Sequence, residues 1–149
     1  MQRVIGVIGG GDSGTDQSAA ATEIGRLIAQ RGWHLVCGGL GGVMEASARG
    51  AHEAGGVTIG LLPGNNRDSA NRFITVPIAT GLGEGRNLLI IRSSDLLIAV
   101  GGEYGTLSEI ALALKTGKPV IGLDTWDIPG VIRASSPEDV LVKAEGLLP

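Results

Sequence analysis

The chain has little of several residue types, and each shortage excludes a class of protein. Its 149 residues include one cysteine, two histidines and only four aromatic residues. The lone Cys37 cannot form an internal disulfide or a thiolate metal site. The spacing of His34 and His52 matches no familiar metal motif. We therefore predict that the fold contains no metal site.

Charged residues and long apolar runs are also scarce. Charged side chains make up 18% of the chain and the net charge is −3, so no basic surface for nucleic acid is expected. No apolar run approaches the roughly 20 residues of a membrane span. The opening stretch "MQRVIGVIGG" enters a strand directly and shows no signal-peptide pattern. We expect a cytoplasmic protein with neither a nucleic-acid nor a membrane partner.

Hydrophobic residues (43%) and 26 glycines are abundant, and the apolar runs alternate with helical patterns. Strands buried on both faces that alternate with helices are typical of a parallel sheet in a three-layer α/β domain. We therefore predict a single Rossmann-like domain over residues 1–149, with Pro77 placing its strand toward an edge. The predicted strands are 3–9, 33–39, 57–63, 73–80, 95–102 and 118–124, and the predicted helices are 16–32, 42–56, 84–94, 106–117 and 135–148.

Three glycine-rich turns, at 9–14, 38–42 and 101–105, follow predicted strands. In open parallel sheets ligands bind at the carboxyl ends of the strands, where the strand order reverses. These turns are therefore the expected ligand-binding region.

The first turn, "GGGDSG", fits G-x-G-x-x-G, but the second strand ends without the acidic residue that a dinucleotide site needs. A dinucleotide site is therefore not favoured. The backbone amides of the turn could still bind a phosphate, with Ser13 and Thr15 as hydroxyl donors. The alternative is a tight turn with no ligand.

The third turn opens a helix in "VGGEYGTLSEIALAL". Thr106 and Glu109 stand in the register of a capping box, which would explain both residues without a ligand. In the functional alternative the helix start binds an anion, and Glu109 faces a ribose or glycosidic carbon. If this turn needs a positive φ, we expect Gly105→Val to damage the site. Upstream, Arg86 in "GEGRN" could reach a phosphate or could be a solvated surface residue.

Taken together, these segments resemble a known superfamily. "CGGLGGVMEASARGAHEAGG", "GLLPG", Arg86 and "GGEYGTLSE" are similar to the Lonely-guy cytokinin-activating phosphoribohydrolases and their relatives, a group also labelled "possible lysine decarboxylase". The resemblance runs from about residue 3 to about residue 123. Over residues 81–123 it is closer to the branch of molybdenum cofactor carrier proteins.

The enzyme branch has the motif P-G-G-x-G-T-x-x-E and an Arg-Lys pair. The motif aligns with residues 101–109, so its glutamate is Glu109, and the arginine of the pair is Arg86. Glu103 replaces the second glycine of the motif, and Asn87 replaces the lysine. Both differences weaken the attraction for a phosphate group, and they favour binding over efficient cleavage.

The resemblance implies a binding or carrier protein for a phosphate-bearing heterocycle. The expected cargo is the molybdenum cofactor, a related pterin or a nucleotide, and no cofactor is required. The alternative is a nucleoside 5′-monophosphate phosphoribohydrolase, with Glu109 as the acidic group and Arg86 on the phosphate. A homo-oligomer, either a dimer or a tetramer, is also implied.

A lysine decarboxylase would need a lysine for a Schiff base with pyridoxal phosphate. Lys115, Lys118 and Lys143 lie at a helix end, a strand start and in the last helix, so we reject this activity. The residues expected at the phosphate or ligand are Gly10, Gly11, Ser13, Gly38, Gly39, Arg86, Asn87, Gly101, Gly102, Glu103, Tyr104, Gly105 and Thr106.

Overall fold

The computed structural model describes residues 1–149 and contains a seven-stranded sheet with five α-helices around it. Two short 3₁₀ turns, Arg67–Ser69 and Gly83–Gly85, lie in the loops. The main elements, in chain order, are β1 (Val4–Gly9), α1 (Thr15–Gln30), β2 (His34–Cys37), α2 (Val43–Glu53), β3 (Thr58–Leu62), β4 (Val76–Ala79), α3 (Arg86–Ser93), β5 (Leu96–Val100), α4 (Tyr104–Lys115), β6 (Val120–Leu123), β7 (Val131–Arg133) and α5 (Pro137–Leu147).

All neighbouring strands are parallel, in the order β4-β3-β2-β1-β5-β6-β7. The predicted Rossmann-like α/β fold is confirmed, and β4, which contains Pro77, is an edge strand as predicted. The short β7 on the other edge was not predicted, because three partly exposed residues give no periodic signal. The strand order reverses between β1 and β5, where Gly9 lies opposite Val100.

Both faces of the sheet are covered by helices. On β5, Leu96, Ile98 and Val100 face a core that α1, α2 and α5 complete, whereas Leu97 and Ala99 face α3 and α4. All five side chains are buried. Each of the larger ones stabilises the fold by about 1.5–3 kcal/mol relative to an exposed position. Helix-covered faces therefore explain why this strand is a continuous apolar run in the sequence.

Helices α1 and α2 touch through their backbones. A Cβ atom at Gly25 of α1 would collide with the carbonyl of Ser47 in α2, and a Cβ atom at Gly50 of α2 would collide with the carbonyl of Thr22 in α1. Only glycine allows this approach at the two positions. None of the helices is long and apolar enough to span a bilayer.

Candidate functional site

A cleft of about 480 Å³ lies at the carboxyl ends of β1 and β5, where the strand order reverses. This is the position at which open parallel sheets bind ligands. The loop after β1 forms one wall, and the turn after β5 with the first turns of α4 forms the other. The residues that line it are Gly9, Gly10, Gly11, Asp12, Gln17, Gly102, Glu103, Gly105, Thr106 and Glu109, none of them hydrophobic in side chain.

Arg86, the first residue of α3, lies in a deeper pocket of about 100 Å³ that shares Gly9 and Glu109 with the cleft. Its Nε is buried and has no hydrogen-bond partner. Burial lowers the pKa of the Arg86 guanidinium from its ordinary value, and attraction to Glu109 opposes that change. Buried donors in proteins are nearly always paired. The unpaired Nε therefore shows that the protein alone does not satisfy the hydrogen-bonding capacity of this guanidinium.

Glu109 projects from α4 near the same pocket. Burial raises the pKa of its carboxyl to about 7, and the positive charge of Arg86 acts in the opposite direction. None of the ion pairs in the structure joins the two side chains. Near neutral pH the Glu109 carboxyl can therefore be either protonated or ionised, and the positively charged Arg86 lies close to it.

The turn after β5 presents free backbone amides to the cleft. Gly101 and Gly102 have φ of 57° and 94°, a region that other residues rarely adopt. No backbone hydrogen bond takes up the N–H of Gly102. Helix α4 begins at Tyr104, and the first N–H groups of a helix have no partner within it. The helix dipole adds a partial positive charge at this end, so the turn suits an anion.

Two sequence expectations for this turn are wrong. Thr106 and Glu109 do not form a capping box, because α4 begins two residues earlier than predicted, with Glu103 at its N-cap and no side-chain cap bond. Gly105 does not need a positive φ, since it lies inside the first helical turn and a Cβ atom there would meet nothing within 4 Å. The left-handed residues are Gly101 and Gly102.

The structure brings most of the expected residues together. Gly10, Gly11, Gly102, Glu103, Gly105, Thr106 and Glu109 line the cleft, and Gly38, Arg86 and Asn87 line the adjoining pocket. The other four do not line either space.

Ser13 is hydrogen-bonded to Ser18 and lines a neighbouring depression that shares Gly11 and Asp12 with the cleft. Gly39 and Gly101 are buried, and Tyr104 is 81% exposed and stacks on Trp126. Six lining residues were not among the predicted site residues: Val7, Ile8, Gly9, Asp12, Gln17 and Met44. Gly9, Asp12 and Gln17 lie in or just after the first glycine turn, so the sequence position of that turn could have indicated them.

Gly38 determines where the Arg86 side chain can lie. A Cβ atom at Gly38 would collide with the guanidinium group and with the sulfur of Met44. The guanidinium can move, since it is the far end of a flexible side chain. The absence of a side chain at Gly38 therefore positions Arg86 and is not a requirement of the fold.

We expect Gly38→Ala to fold and to lower affinity for AMP by about 3–10-fold, because it displaces a charge-assisted hydrogen bond. Calorimetric titration measures the affinity and thermal unfolding checks the fold. Gly41→Ala is the matched control, because a Cβ atom there would make only an ordinary contact with the Gly11 carbonyl. Unchanged affinity in Gly38→Ala would contradict this role of Gly38.

Comparison with known proteins gives the relationships of the chain. A protein of Archaeoglobus fulgidus without an assigned function is 52% identical over 119 residues, which cover 80% of this chain and 78% of that protein. A cytokinin riboside 5′-monophosphate phosphoribohydrolase of Mycobacterium tuberculosis is 36% identical over 116 residues, covering 71% of this chain but only 62% of the enzyme.

The solved structure of the molybdenum cofactor binding protein from Rippkaea orientalis superimposes with a TM-score of 0.94 at 40% identity, covering 99% of this chain and 98% of that one. The model of the SLOG cluster4 family matches residues 2–145. The chain therefore belongs to the SLOG cluster4 family, and the predicted resemblance to the Lonely-guy superfamily and its molybdenum cofactor carrier branch is confirmed.

Proposed function

We propose that the chain binds and carries a phosphate-bearing heterocycle, with the molybdenum cofactor as the favoured cargo. The observation behind the proposal is the buried, unpaired Nε of Arg86, in a pocket that shares Gly9 and Glu109 with the cleft. A phosphate group of the cargo would accept hydrogen bonds from the guanidinium. Charge-assisted hydrogen bonds of this kind contribute about 1.5–3 kcal/mol each.

The cargo itself fits the lining of the cleft. The amides of Gly102 and of the first turn of α4 suit the phosphate. The polar walls could form hydrogen bonds with the edge of a pterin ring, which is rich in hydrogen-bond donors and acceptors. The similarity to the Rippkaea orientalis molybdenum cofactor binding protein over nearly the whole of both chains supports the same cargo.

Two residues favour carriage over hydrolysis. Glu103 lines the cleft where the enzyme motif has a glycine, and its exposed carboxylate repels a phosphate group. Asn87 lines the Arg86 pocket where the enzyme pair has a lysine, so one positive charge is missing. Backbone amides still hold the ligand, but the electrostatic stabilisation that a transition state needs is smaller.

A phosphoribohydrolase is the second candidate, and one observation favours it. The Glu109 carboxyl, with its pKa raised to about 7 by burial, lies near the cation that would hold the substrate phosphate. An oxocarbenium-like transition state needs such a carboxylate beside the sugar. In this case Glu109 would stabilise the positive charge that develops when the N-glycosidic bond breaks.

Two measurements test the proposal. Mass spectrometry of small molecules released from the purified protein is expected to detect a phosphate-bearing pterin. A chromatographic assay with AMP is expected to show little or no free adenine. Ready multiple-turnover release of adenine would overturn the carrier function and establish the hydrolase. The cytoplasmic location, the homo-oligomeric state and the single-domain organisation stay predictions.

A further inference from the structure

We propose that the segment 124–126, directly after β6, is a clamp that orients the anion-binding turn, with Thr125 and Trp126 as its positioning residues. This inference rests on the proposed function, because the oriented turn is the proposed phosphate site. Neither residue lines the cleft, and neither would touch the ligand.

Two side-chain hydrogen bonds join the clamp to the turn. The Thr125 hydroxyl donates to the carbonyl of Gly101 at 2.6 Å, and the Trp126 indole N–H donates to the carbonyl of Glu103 at 3.0 Å. The Trp126 ring also stacks on Tyr104, with ring centroids 6.0 Å apart and planes 28° apart. The clamp therefore contacts the carbonyl groups at the start and at the end of the turn, those of Gly101 and Glu103.

Holding these carbonyls fixes the direction of the amides that a phosphate would use. The N–H of a trans peptide points opposite to its C=O. When Thr125 fixes the Gly101 carbonyl, the N–H of Gly102 must point away from the clamp, and this N–H has no backbone partner. The Glu103 carbonyl belongs to the same peptide as the N–H of Tyr104. It accepts hydrogen bonds both from Trp126 and from the Leu107 N–H of α4, so the clamp reinforces a direction that the helix also sets.

The turn needs such a constraint because two consecutive glycines form it. Glycine moves readily between backbone conformations, so residues 101 and 102 alone would not fix the direction of an N–H group. The two bonds from the clamp reduce that freedom before a ligand arrives. Pre-organised donors bind an anion more tightly than donors that must be ordered on binding.

The backbone around the clamp is built to place it. Asp124 has a φ of 50° and is the only residue other than glycine with a positive φ. A left-handed conformation costs about 1–2 kcal/mol for most residues, with aspartate among the better tolerated. Gly122 leaves room for Thr125, because a Cβ atom at Gly122 would lie 2.6 Å from the Thr125 Cγ2. The left-handed backbone at Asp124 and the absence of a side chain at Gly122 thus both help to position Thr125.

Removal of the Thr125 hydroxyl tests the clamp. Thr125→Val keeps the branched shape, and we expect it to weaken AMP binding by about 5–10-fold, the worth of one oriented hydrogen bond. Thr125→Ser restores the hydroxyl and should bind within about 2-fold of the wild type. The matched control is Thr116→Val, which removes a threonine hydroxyl from carbonyls at the far end of α4.

Amide NMR separates positioning from a general loss of stability. In the wild type, AMP is expected to shift the amide signals of Gly102 and Tyr104. In Thr125→Val the shift at Gly102 should shrink while the response of Gly11 across the cleft persists. Trp126→Phe, which keeps the ring and loses the N–H donor, should reduce the shift at Tyr104 in the same way.

The outcomes distinguish the two proposals. A wild type that binds neither AMP nor inorganic phosphate, and whose turn amides respond to neither, overturns the proposed phosphate site and the clamp together. A wild type that binds, with Thr125→Val and Trp126→Phe binding equally well and showing unchanged amide shifts, overturns the clamp alone. Equal losses in Thr125→Val and Thr116→Val would also overturn it, since the effect would then be structural.

Discussion

Replacement of Arg86 by alanine is expected to weaken the binding of any phosphate-bearing ligand by about 10–150-fold, equivalent to about 1.5–3 kcal/mol for a charge-assisted hydrogen bond. Arg86 is half-buried beside the cleft, and its buried Nε has no partner in the protein. The ligand therefore loses its cationic contact, while the protein loses no ion pair. Calorimetric titration with AMP measures the loss.

The matched control is Arg92→Ala, which removes an exposed arginine from the last turn of the same helix. Its affinity should equal that of the wild type. Thermal unfolding of Arg86→Ala should show that the fold persists, because the half-buried Arg86 makes no ion pair whose loss would destabilise the fold. Wild-type affinity in Arg86→Ala would exclude Arg86 from the phosphate site.

Replacement of Glu109 by glutamine is expected to abolish most of the pH dependence of ligand binding above pH 7. Burial raises the pKa of Glu109 to about 7 in the free protein, and a bound anion raises it further. Affinity is therefore highest below pH 7, where the carboxyl is neutral, and falls as pH rises and the carboxylate forms. We expect a fall of about 10-fold by pH 8.5 in the wild type, equal to one pKa unit between the free and bound states.

Glu109→Gln mimics the neutral carboxyl, so its affinity should match that of the wild type at low pH and exceed it at pH 8.5. The ligand's own second phosphate ionisation, near pH 6, is common to both proteins and cancels in the comparison. Parallel pH profiles for the two proteins would show that Glu109 does not face the anion. A wild type that cleaves AMP, with cleavage lost in Glu109→Gln, would instead support the hydrolase.

The fold could be predicted from the sequence because β1, β2, β3, β5 and β6 are short apolar runs separated by helical patterns. Burial on both faces produces such runs, and β5 is the clearest case. The edge strand β7 could not be predicted, since partly exposed residues with one face on the sheet leave no continuous run. The order of the strands could not be predicted from local sequence patterns either, because it depends on which distant segments pair with one another.

The candidate site could be predicted only in part. Glycine turns at strand ends indicated the cleft, and Arg86 and Glu109 followed from the resemblance. The raised pKa of Glu109 could not be predicted, because it results from burial between elements that are separate in sequence. Thr125 and Trp126 gave no signal either, since they lie beyond a different strand and reach the turn only in three dimensions.

The backbone contact between α1 and α2 determines which side of the cleft can adjust to a ligand. Helices that touch through Gly25 and Gly50 cannot approach further, and sliding one along the other would bring side chains against the facing backbone, so we expect them to move together. The loop after β1, which leads into α1 and forms one wall of the cleft, is therefore expected to stay fixed. Cargoes of different size would therefore be accommodated on the opposite side of the cleft, where α3 and α4 pack through side chains that can change conformation. Selection among cargoes would then evolve by substitutions in α3 and α4, while Gly25 and Gly50 stay under steric constraint.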